Sequence, residues 1–150
     1  MIAPSSPTRP AHTDLSALKF NQVTVIGVTL LALALRMPGL ALVLGAAMLL
    51  GAVRPDLSPL RAAYQTLGPW LRLKPDVVAE DPRAHHFAQG VGGTFVLGSA
   101  ALSLAGLWLA ATVLGVTVVA LALLNLSQKI CVGCLMYFQY RRLRFALLHR

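Results

Sequence analysis

The feature that most constrains the fold of this chain is a long stretch without formal charge. No Asp, Glu, Lys or Arg lies between Arg83 and Lys129, and shorter uncharged stretches run from Lys19 to Arg36 and from Arg36 to Arg54. Charged residues make up only 12% of the chain and hydrophobic residues 57%, whereas about 25% charge is usual in a soluble globular domain. The three uncharged stretches therefore predict segments that lie in a lipid bilayer.

The longest uncharged stretch exceeds one membrane crossing, because about 20 helical residues cross a hydrocarbon core of about 30 Å. It must fold back on itself near Gly106, just as Pro38 and Gly39 interrupt the first apolar segment. We therefore predict an all-α fold class, a four-helix transmembrane bundle built from two sequential helical hairpins; a buried soluble hairpin is the alternative for the first pair. The predicted spans are residues 20–35, 39–53, 89–107 and 110–128. Small residues are expected at the helix contacts, namely Gly27, Gly45, Ala46, Gly92, Gly98 and Ala105.

The distribution of basic residues predicts the orientation in the membrane. The tail before the first span, residues 54–83 and the segment from Lys129 onward hold twelve of the thirteen Lys and Arg residues, and the hairpin tips hold only Arg36. Positive residues favour the cytoplasmic side, so we expect a multi-pass membrane protein with both termini cytoplasmic. The lipid bilayer then accounts for the basic charge, and no nucleic acid partner is predicted.

The segments outside the spans differ in composition. Residues 1–13 are rich in Pro, Ser and Thr and are expected to form a disordered N-terminal tail. Residues 14–140 form the predicted four-span membrane domain, and residues 141–150 a basic C-terminal tail. Within the cytoplasmic loop 54–88, Ser58 followed by Pro59 predicts the start of a short helix, which lies in the membrane interface or packs against the bundle.

Two short segments resemble each other. "DLSALKFNQ" and "DPRAHHFAQ" each open one predicted hairpin, and three identical residues recur at an offset of 67. Two hairpins that enter from the same side predict a parallel-type internal repeat, with an axis along the membrane normal. The aspartates are expected to begin the helices and to offset their dipoles. The matching pairs are Asp14 and Asp81, Phe20 and Phe87, and Gln22 and Gln89.

The only two cysteines of the chain, Cys131 and Cys134, lie in "KICVGCLMYFQYRR" where the fourth predicted span ends. Such a pair can be a redox couple, half of a metal site, or two small apolar residues. In a helix their Cβ atoms would lie about 5–6 Å apart, whereas a disulfide needs about 3.8 Å. We therefore expect Gly133 to act as a hinge that allows closure. The end of the span disfavours a thiolate, whereas Lys129 favours one.

Polar residues one turn before the cysteines, and near the starts of two spans, are the expected supporting groups of the site. Polar side chains in membrane helices usually face the bundle interior. The alternative is that the amides only hydrogen-bond between helices and that the lysine extends to the interface. The residues are Asn125, Gln128, Lys129, Gln22 and Gln89.

Metal binding and a structural disulfide are both disfavoured by the sequence. Two cysteines supply half of a zinc site, and His85 and His86 could complete it, but adjacent histidines in a predicted loop are more often solvated. No metal site is therefore predicted, and the cofactor is left unknown. A reducing cytoplasm disfavours a structural disulfide, and no phosphate-binding loop or nucleophile triad is present.

With Phe-Ala-Gln-Gly after "DPRAHH" and with "NLSQKICVGCLMY" near its end, the chain resembles an uncharacterised bacterial integral membrane family, the domain of unknown function 4395, and we expect it in a bacterial inner membrane. Members of that family commonly carry Arg where this chain has His86, and often an acidic residue where it has Leu135. The second difference weakens any mechanism that needs a carboxylate beside the thiols. Members look associated with thioredoxin-like or sulfur-handling proteins, so the resemblance implies thiol chemistry. The matching residues are Asp81, Pro82, Arg83, Phe87, Ala88, Gln89, Asn125, Cys131, Gly133, Cys134 and Tyr137.

Two functional hypotheses follow from these features. In the first, Cys131 and Cys134 are the catalytic redox pair of a thiol-disulfide oxidoreductase or sulfur-related electron relay. Its expected partner is a thioredoxin-like protein or a lipid quinone. In the second, the chain is a non-enzymatic scaffold or small-molecule transport-like bundle, and a second copy of the chain is a candidate partner.

Overall fold

The computed structural model describes residues 12–148. Most of the predicted N-terminal tail, residues 1–11, and the last two residues of the predicted C-terminal tail lie outside the described residues. The chain forms six α-helices, one short 3-10 turn at Pro55–Leu57 and two very short strands within that range. The strands are β1 (Thr13–Asp14) and β2 (Val77–Val78), and the helices are α1 (Leu15–Ala34), α2 (Pro38–Val53), α3 (Pro59–Leu67), α4 (Pro82–Leu104), α5 (Trp108–Gln128) and α6 (Val132–Leu148).

Three helices, α1, α4 and α5, are long and apolar enough to cross a membrane. Large apolar side chains on these helices are exposed, such as Leu109 at 81% and Val113 at 58%, which suits a surface covered by lipid. Helix α2 is equally apolar but has only 16 residues, which is about 24 Å at 1.5 Å per residue. The structure therefore agrees with a helical membrane protein and gives three candidate spans.

Capping side chains set where the long helices begin. The carboxylate of Asp14 accepts a hydrogen bond from the backbone N–H of Ser16 at 2.9 Å, and that of Asp81 accepts one from Arg83 at 2.9 Å. Both aspartates are thus N-caps, as predicted. Because these caps lie upstream of the apolar segments, α1 begins before the predicted position 20 and α4 before position 89. The last part of the predicted loop 54–88 is therefore helical.

Tight turns separate the helices of each hairpin. Arg36 has a φ of 53° between α1 and α2, and Gly106 has a φ of 80° between α4 and α5. Glycine adopts this left-handed region without steric cost, which explains why the longest uncharged stretch turns there. Both turns lie where the sequence predicted them.

Helix α4 lies at the centre of the structure and contacts α2, α5 and α6. Its most extensive contact is with α2, where a Cβ atom built on Gly93 would lie 3.0 Å from the Cβ of Met48 and 3.2 Å from the backbone oxygen of Gly45. On the other side, the Ser99 hydroxyl donates to the Ala111 carbonyl at 2.7 Å. The main contact therefore joins the two hairpins rather than the helices of one hairpin.

Not all of the small residues expected at helix contacts lie there. Gly45 and Gly92 face neighbouring side chains, but Gly27 is exposed and has no atom within 4 Å of a built Cβ. Ala46 and Ala105 are exposed as well. The expectation is wrong for these three residues, because the sequence does not reveal which face of an apolar helix is covered by protein.

Asp14 also anchors the loop between the hairpins. Its carboxylate accepts from the Tyr64 hydroxyl at 3.1 Å and from the Asp76 N–H at 3.1 Å. Nearby, the Thr13 hydroxyl donates to the Glu80 carbonyl at 3.0 Å, and β1 pairs antiparallel with β2. These bonds hold the end of the loop, including Glu80, beside the start of α1.

We expect Gly93→Val to lower the free energy of unfolding by about 1–3 kcal/mol, because the added methyl groups overpack the contact between α2 and α4. Gly27→Val is the matched control, since its side chain enters open space. Thermal unfolding followed by circular dichroism in detergent micelles measures both variants. Equal midpoints for the two variants would contradict the assigned helix contact.

Candidate functional site

A break between α5 and α6 positions the cysteines. Helix α5 ends at Gln128, Lys129 adopts a left-handed conformation with φ 54° and ψ 24°, and α6 begins at Val132. The prediction of a hinge at Gly133 is wrong, because Gly133 lies inside α6. The chain turns at Lys129 instead, where the last turn of α5 ends.

Gly133 has a different role, which is to allow close contact between α6 and α4. A Cβ atom on Gly133 would lie 2.5 Å from the Cβ and 2.8 Å from the Cα of Ala88. One turn further, the rings of Phe87 and Tyr137 contact each other with centroids 5.6 Å apart. Only glycine permits this approach, which brings the start of α6 against the first turns of α4.

Cys131 occupies the N-cap position of α6. The backbone N–H of Cys134 donates to the Cys131 sulfur at 3.3 Å, and the N–H of Leu135 donates to the Cys131 carbonyl at 3.0 Å. The sulfur therefore lies at the positive end of a helix dipole, which favours a thiolate. The sequence had predicted the negative end of the preceding helix. Because Cys131 precedes the helix, the distance between its Cβ atom and that of Cys134 is not fixed at the value for two helical residues three positions apart.

His85 and Glu80 complete the cluster around the cysteines. The Cys134 sulfur lies 3.5 Å from Nδ1 of His85, whose Nε2 lies 3.2 Å from the Glu80 carboxylate. The His85 side chain is 18% exposed and that of Glu80 is 55% exposed. Since a carboxylate only accepts hydrogen bonds, Nε2 of the neutral ring carries the proton and Nδ1 presents its lone pair to the thiols.

The pKa values of the two thiols are shifted in opposite directions. A hydrogen bond from the Cys134 side chain lowers the pKa of Cys131 to about 5, helped by His85 and opposed by burial. The same hydrogen bond, together with burial, raises the pKa of Cys134 well above its usual range. At neutral pH the pair therefore holds one thiolate, on Cys131, and one thiol, on Cys134.

A cavity of about 210 Å³ lies beside Cys131, between α1, α4, α5 and α6. Of the predicted supporting residues, Gln22, Gln89 and Asn125 line it, whereas Gln128 and Lys129 are exposed and do not. The rest of the wall is mainly apolar. The cavity is thus an apolar space with amides and a thiol on its wall.

Two polar residues of this region were not predicted from the sequence, and a third was given too little weight. Glu80 was not identified, and His85 was discounted as a solvated loop residue, although the Asp81 cap makes it helical. Asn21 also lines the cavity, and its Oδ1 is buried without a hydrogen-bond partner. Asn21 could have been predicted from the sequence, because it directly precedes the predicted residue Gln22 in "FNQ". His86, by contrast, lines a second cavity and is not part of the cysteine cluster.

Comparison with known proteins identifies a family. The family model described as "Domain of unknown function (DUF4395)" matches residues 13–142, so the chain belongs to this family, as its motifs indicated. No curated protein matches the chain, and no solved structure matches it.

We expect iodoacetamide to modify Cys131 before Cys134 at neutral pH in buffer with a chelator, because only thiolates react quickly. Since the pKa of Cys131 is lowered to about 5, the rate at Cys131 should change little above about pH 6 and fall as the pH decreases through the pKa. Peptide mass spectrometry of samples quenched over a pH series measures both rates. His85→Ala should move the fall to higher pH, and His86→Ala serves as the matched control. Equal labelling of both cysteines would contradict this assignment.

Proposed function

We propose that this member of the DUF4395 family is a membrane-embedded thiol-disulfide redox protein that relays electrons through Cys131 and Cys134. The observation that carries the proposal is the arrangement of the pair: Cys131 caps α6 and Cys134 lies against His85. One sulfur is thus favoured as a nucleophile and the other is beside a proton acceptor. Both cysteines are half-buried, so a partner can reach them while bulk water is partly excluded.

Each residue has a distinct role in this proposal. Cys131 is the attacking thiolate, and Cys134 is the resolving thiol. His85 accepts the proton that Cys134 loses when it attacks, and Glu80 holds the ring of His85 and stabilises its protonated form. Glu80 comes from the loop before α4, so the carboxylate that the family often carries after the second cysteine is supplied here from a different position.

The relay consists of two exchanges that balance in electrons and protons. A dithiol protein of the thioredoxin-like class attacks the oxidised Cys131–Cys134 disulfide, forms a mixed disulfide, and leaves as a disulfide after its second thiol attacks the first. The pair then holds one thiolate, on Cys131, and one thiol, on Cys134, because one proton goes to solvent. It passes two electrons to a lipid quinone, which becomes a quinol by taking one proton from Cys134 through His85 and one from solvent, and the Cys131–Cys134 disulfide forms again.

The cavity supports a quinone as the acceptor. Its wall is mainly apolar, Cys131 lies on it, and the amides of Gln22, Gln89 and Asn125 can donate to carbonyl oxygens of a ring. The buried Oδ1 of Asn21, which has no hydrogen-bond partner among the described residues, can accept from a hydroxyl of the quinol product. An amphipathic ring with oxygen atoms at its edge is the class of ligand that these groups match.

The membrane arrangement belongs to the same proposal. All four apolar helices cross a bacterial inner membrane. Although α2 is short, it crosses the hydrocarbon core because the side chains of Arg36 and Arg54 at its two ends extend to the headgroups. Both termini and the loop with α3 face the cytoplasm. Helix α6, with Arg141, Arg142 and Arg144 among exposed apolar residues, lies in the interface on that side.

Equivalent contacts in the two halves of the chain support an internal repeat whose unit has three helices instead of two. In each half an aspartate caps a long helix, and a phenylalanine six residues later contacts a tyrosine of the third helix. The Phe20 and Tyr64 rings lie 5.7 Å apart, and those of Phe87 and Tyr137 lie 5.6 Å apart. In this proposal α3 and α6 are corresponding elements, and only the second has acquired the cysteines.

We expect a Cys131–Cys134 disulfide that forms with oxidant and disappears with reductant in isolated membranes. Cys134→Ser mixed with an oxidised thioredoxin-like protein should instead accumulate a mixed disulfide through Cys131, because the exchange then runs in reverse and the resolving thiol is gone. Cys131→Ser should form far less of it, since its remaining thiol is protonated. Differential alkylation and mass spectrometry measure these species. If neither the disulfide nor the mixed disulfide forms, the redox proposal is wrong.

The cavity also favours a second candidate function, a non-enzymatic bundle that binds or passes a small amphipathic molecule. The two candidate functions predict different results when variants are expressed in a strain of the source organism that lacks the gene. The redox proposal predicts that the double variant Cys131→Ser with Cys134→Ser fails to restore the function that the deletion strain has lost. The alternative predicts that this double variant restores it, whereas Gln89→Leu with Asn125→Leu does not. Equal expression in the membrane fraction is the control for both variants.

A further inference from the structure

We propose that Cys131, Cys134 and His85 form a binding site for a zinc-class metal ion when both thiols are reduced. The ligand atoms of these three residues all lie within 4.8 Å of one another. They come from two separate parts of the chain, the first turn of α4 and the start of α6. This inference goes beyond the redox proposal, because it needs only the reduced thiols and not their cycling.

One distance within the cluster already matches a tetrahedral ion. With Zn–S bonds of about 2.3 Å and Zn–N bonds of about 2.0–2.1 Å, a sulfur and a nitrogen on a tetrahedral edge lie about 3.5–3.6 Å apart. The Cys134 sulfur and Nδ1 of His85 are 3.5 Å apart. An ion can therefore bind between these two atoms, and the Cys131 sulfur, which lies within 4.8 Å of both, completes the set when its side chain rotates toward the ion.

The surroundings of the three ligands are those of a metal site. The Glu80 carboxylate accepts from Nε2 of His85, which directs the Nδ1 lone pair toward the sulfurs in the carboxylate-histidine-metal arrangement. The N–H of Cys134 donates to the Cys131 sulfur, which stabilises a thiolate ligand. Each of these bonds orients a ligand in advance.

Charge and ligand type select the class of metal. Two thiolates and a neutral imidazole carry two negative charges in a half-buried position, and a divalent ion neutralises them. Thiolate and imidazole favour zinc over magnesium or calcium, which prefer oxygen ligands. Three protein ligands leave a fourth position for water or a small external ligand. The prediction of no metal site rested on His85 lying in a loop, whereas the Asp81 cap places it on α4.

Metal binding by the purified, reduced protein in detergent micelles tests this inference. We expect one Zn²⁺ per chain by calorimetry, and Co²⁺ alone should give the near-ultraviolet absorption of a thiolate ligand. Magnesium should not bind. Zinc should also protect Cys131 from alkylation, and a preformed Cys131–Cys134 disulfide should abolish binding, because both sulfurs are then consumed.

Variants assign the ligands. His85→Ala should weaken zinc binding strongly, and His86→Ala is the matched control because His86 is outside the cluster. His85→Cys should restore binding, since a thiolate replaces the imidazole, which guards against a variant that only misfolds. Glu80→Ala, which removes the outer hydrogen-bond partner of His85, should cost roughly 10–100-fold in affinity.

Defined outcomes would overturn the inference. It is wrong if zinc does not bind the reduced protein, if His85→Ala binds as tightly as His86→Ala, or if the cobalt spectrum lacks thiolate bands. These results are separate from the redox test. Loss of metal binding with intact disulfide cycling removes only the metal inference, whereas metal binding without any disulfide removes only the redox proposal.

Discussion

The close contact of α6 with α4 is the interaction on which the site depends. Gly133 lies so near Ala88 that no side chain fits between the two backbones, and the Phe87 and Tyr137 rings pack beside it. Helix α4 is held in turn by its glycine contact with α2. Because α4 packs against α2 on one side and against α6 on another, the start of α6 lies beside His85. The position of His85 itself follows from the Asp81 cap, which sets where α4 begins.

The break at Lys129 reverses the electrostatics of the cysteine pair. If α5 had continued, both sulfurs would lie at its negative end and would be held at the spacing of one helical turn. Because the chain ends one helix and begins another, Cys131 caps the new one and accepts an N–H bond from Cys134. A change of a few residues in where a helix ends therefore decides whether the pair is inert or reactive.

The sequence predicted most of the helices because the signals are local. Uncharged length, the Pro38 break, the Gly106 turn and the aspartate caps act within a few residues, so both turns and both N-caps were found. The hinge at Gly133 and the packing roles of Gly27 and Ala105 were wrong. These depend on which neighbour covers a helix face, and an apolar helix gives little contrast between lipid and protein.

The candidate site divides in the same way. The sequence alone determined that the chain is helical and apolar and which family it belongs to, and it pointed to Cys131, Cys134 and the amides Gln22, Gln89 and Asn125 as candidate groups, because these inferences follow from composition and local spacing. Only the tertiary structure decided that His85 and Glu80 join the cysteines while Gln128 and Lys129 do not. The physical reason is that residues about fifty positions apart meet only when two helices pack.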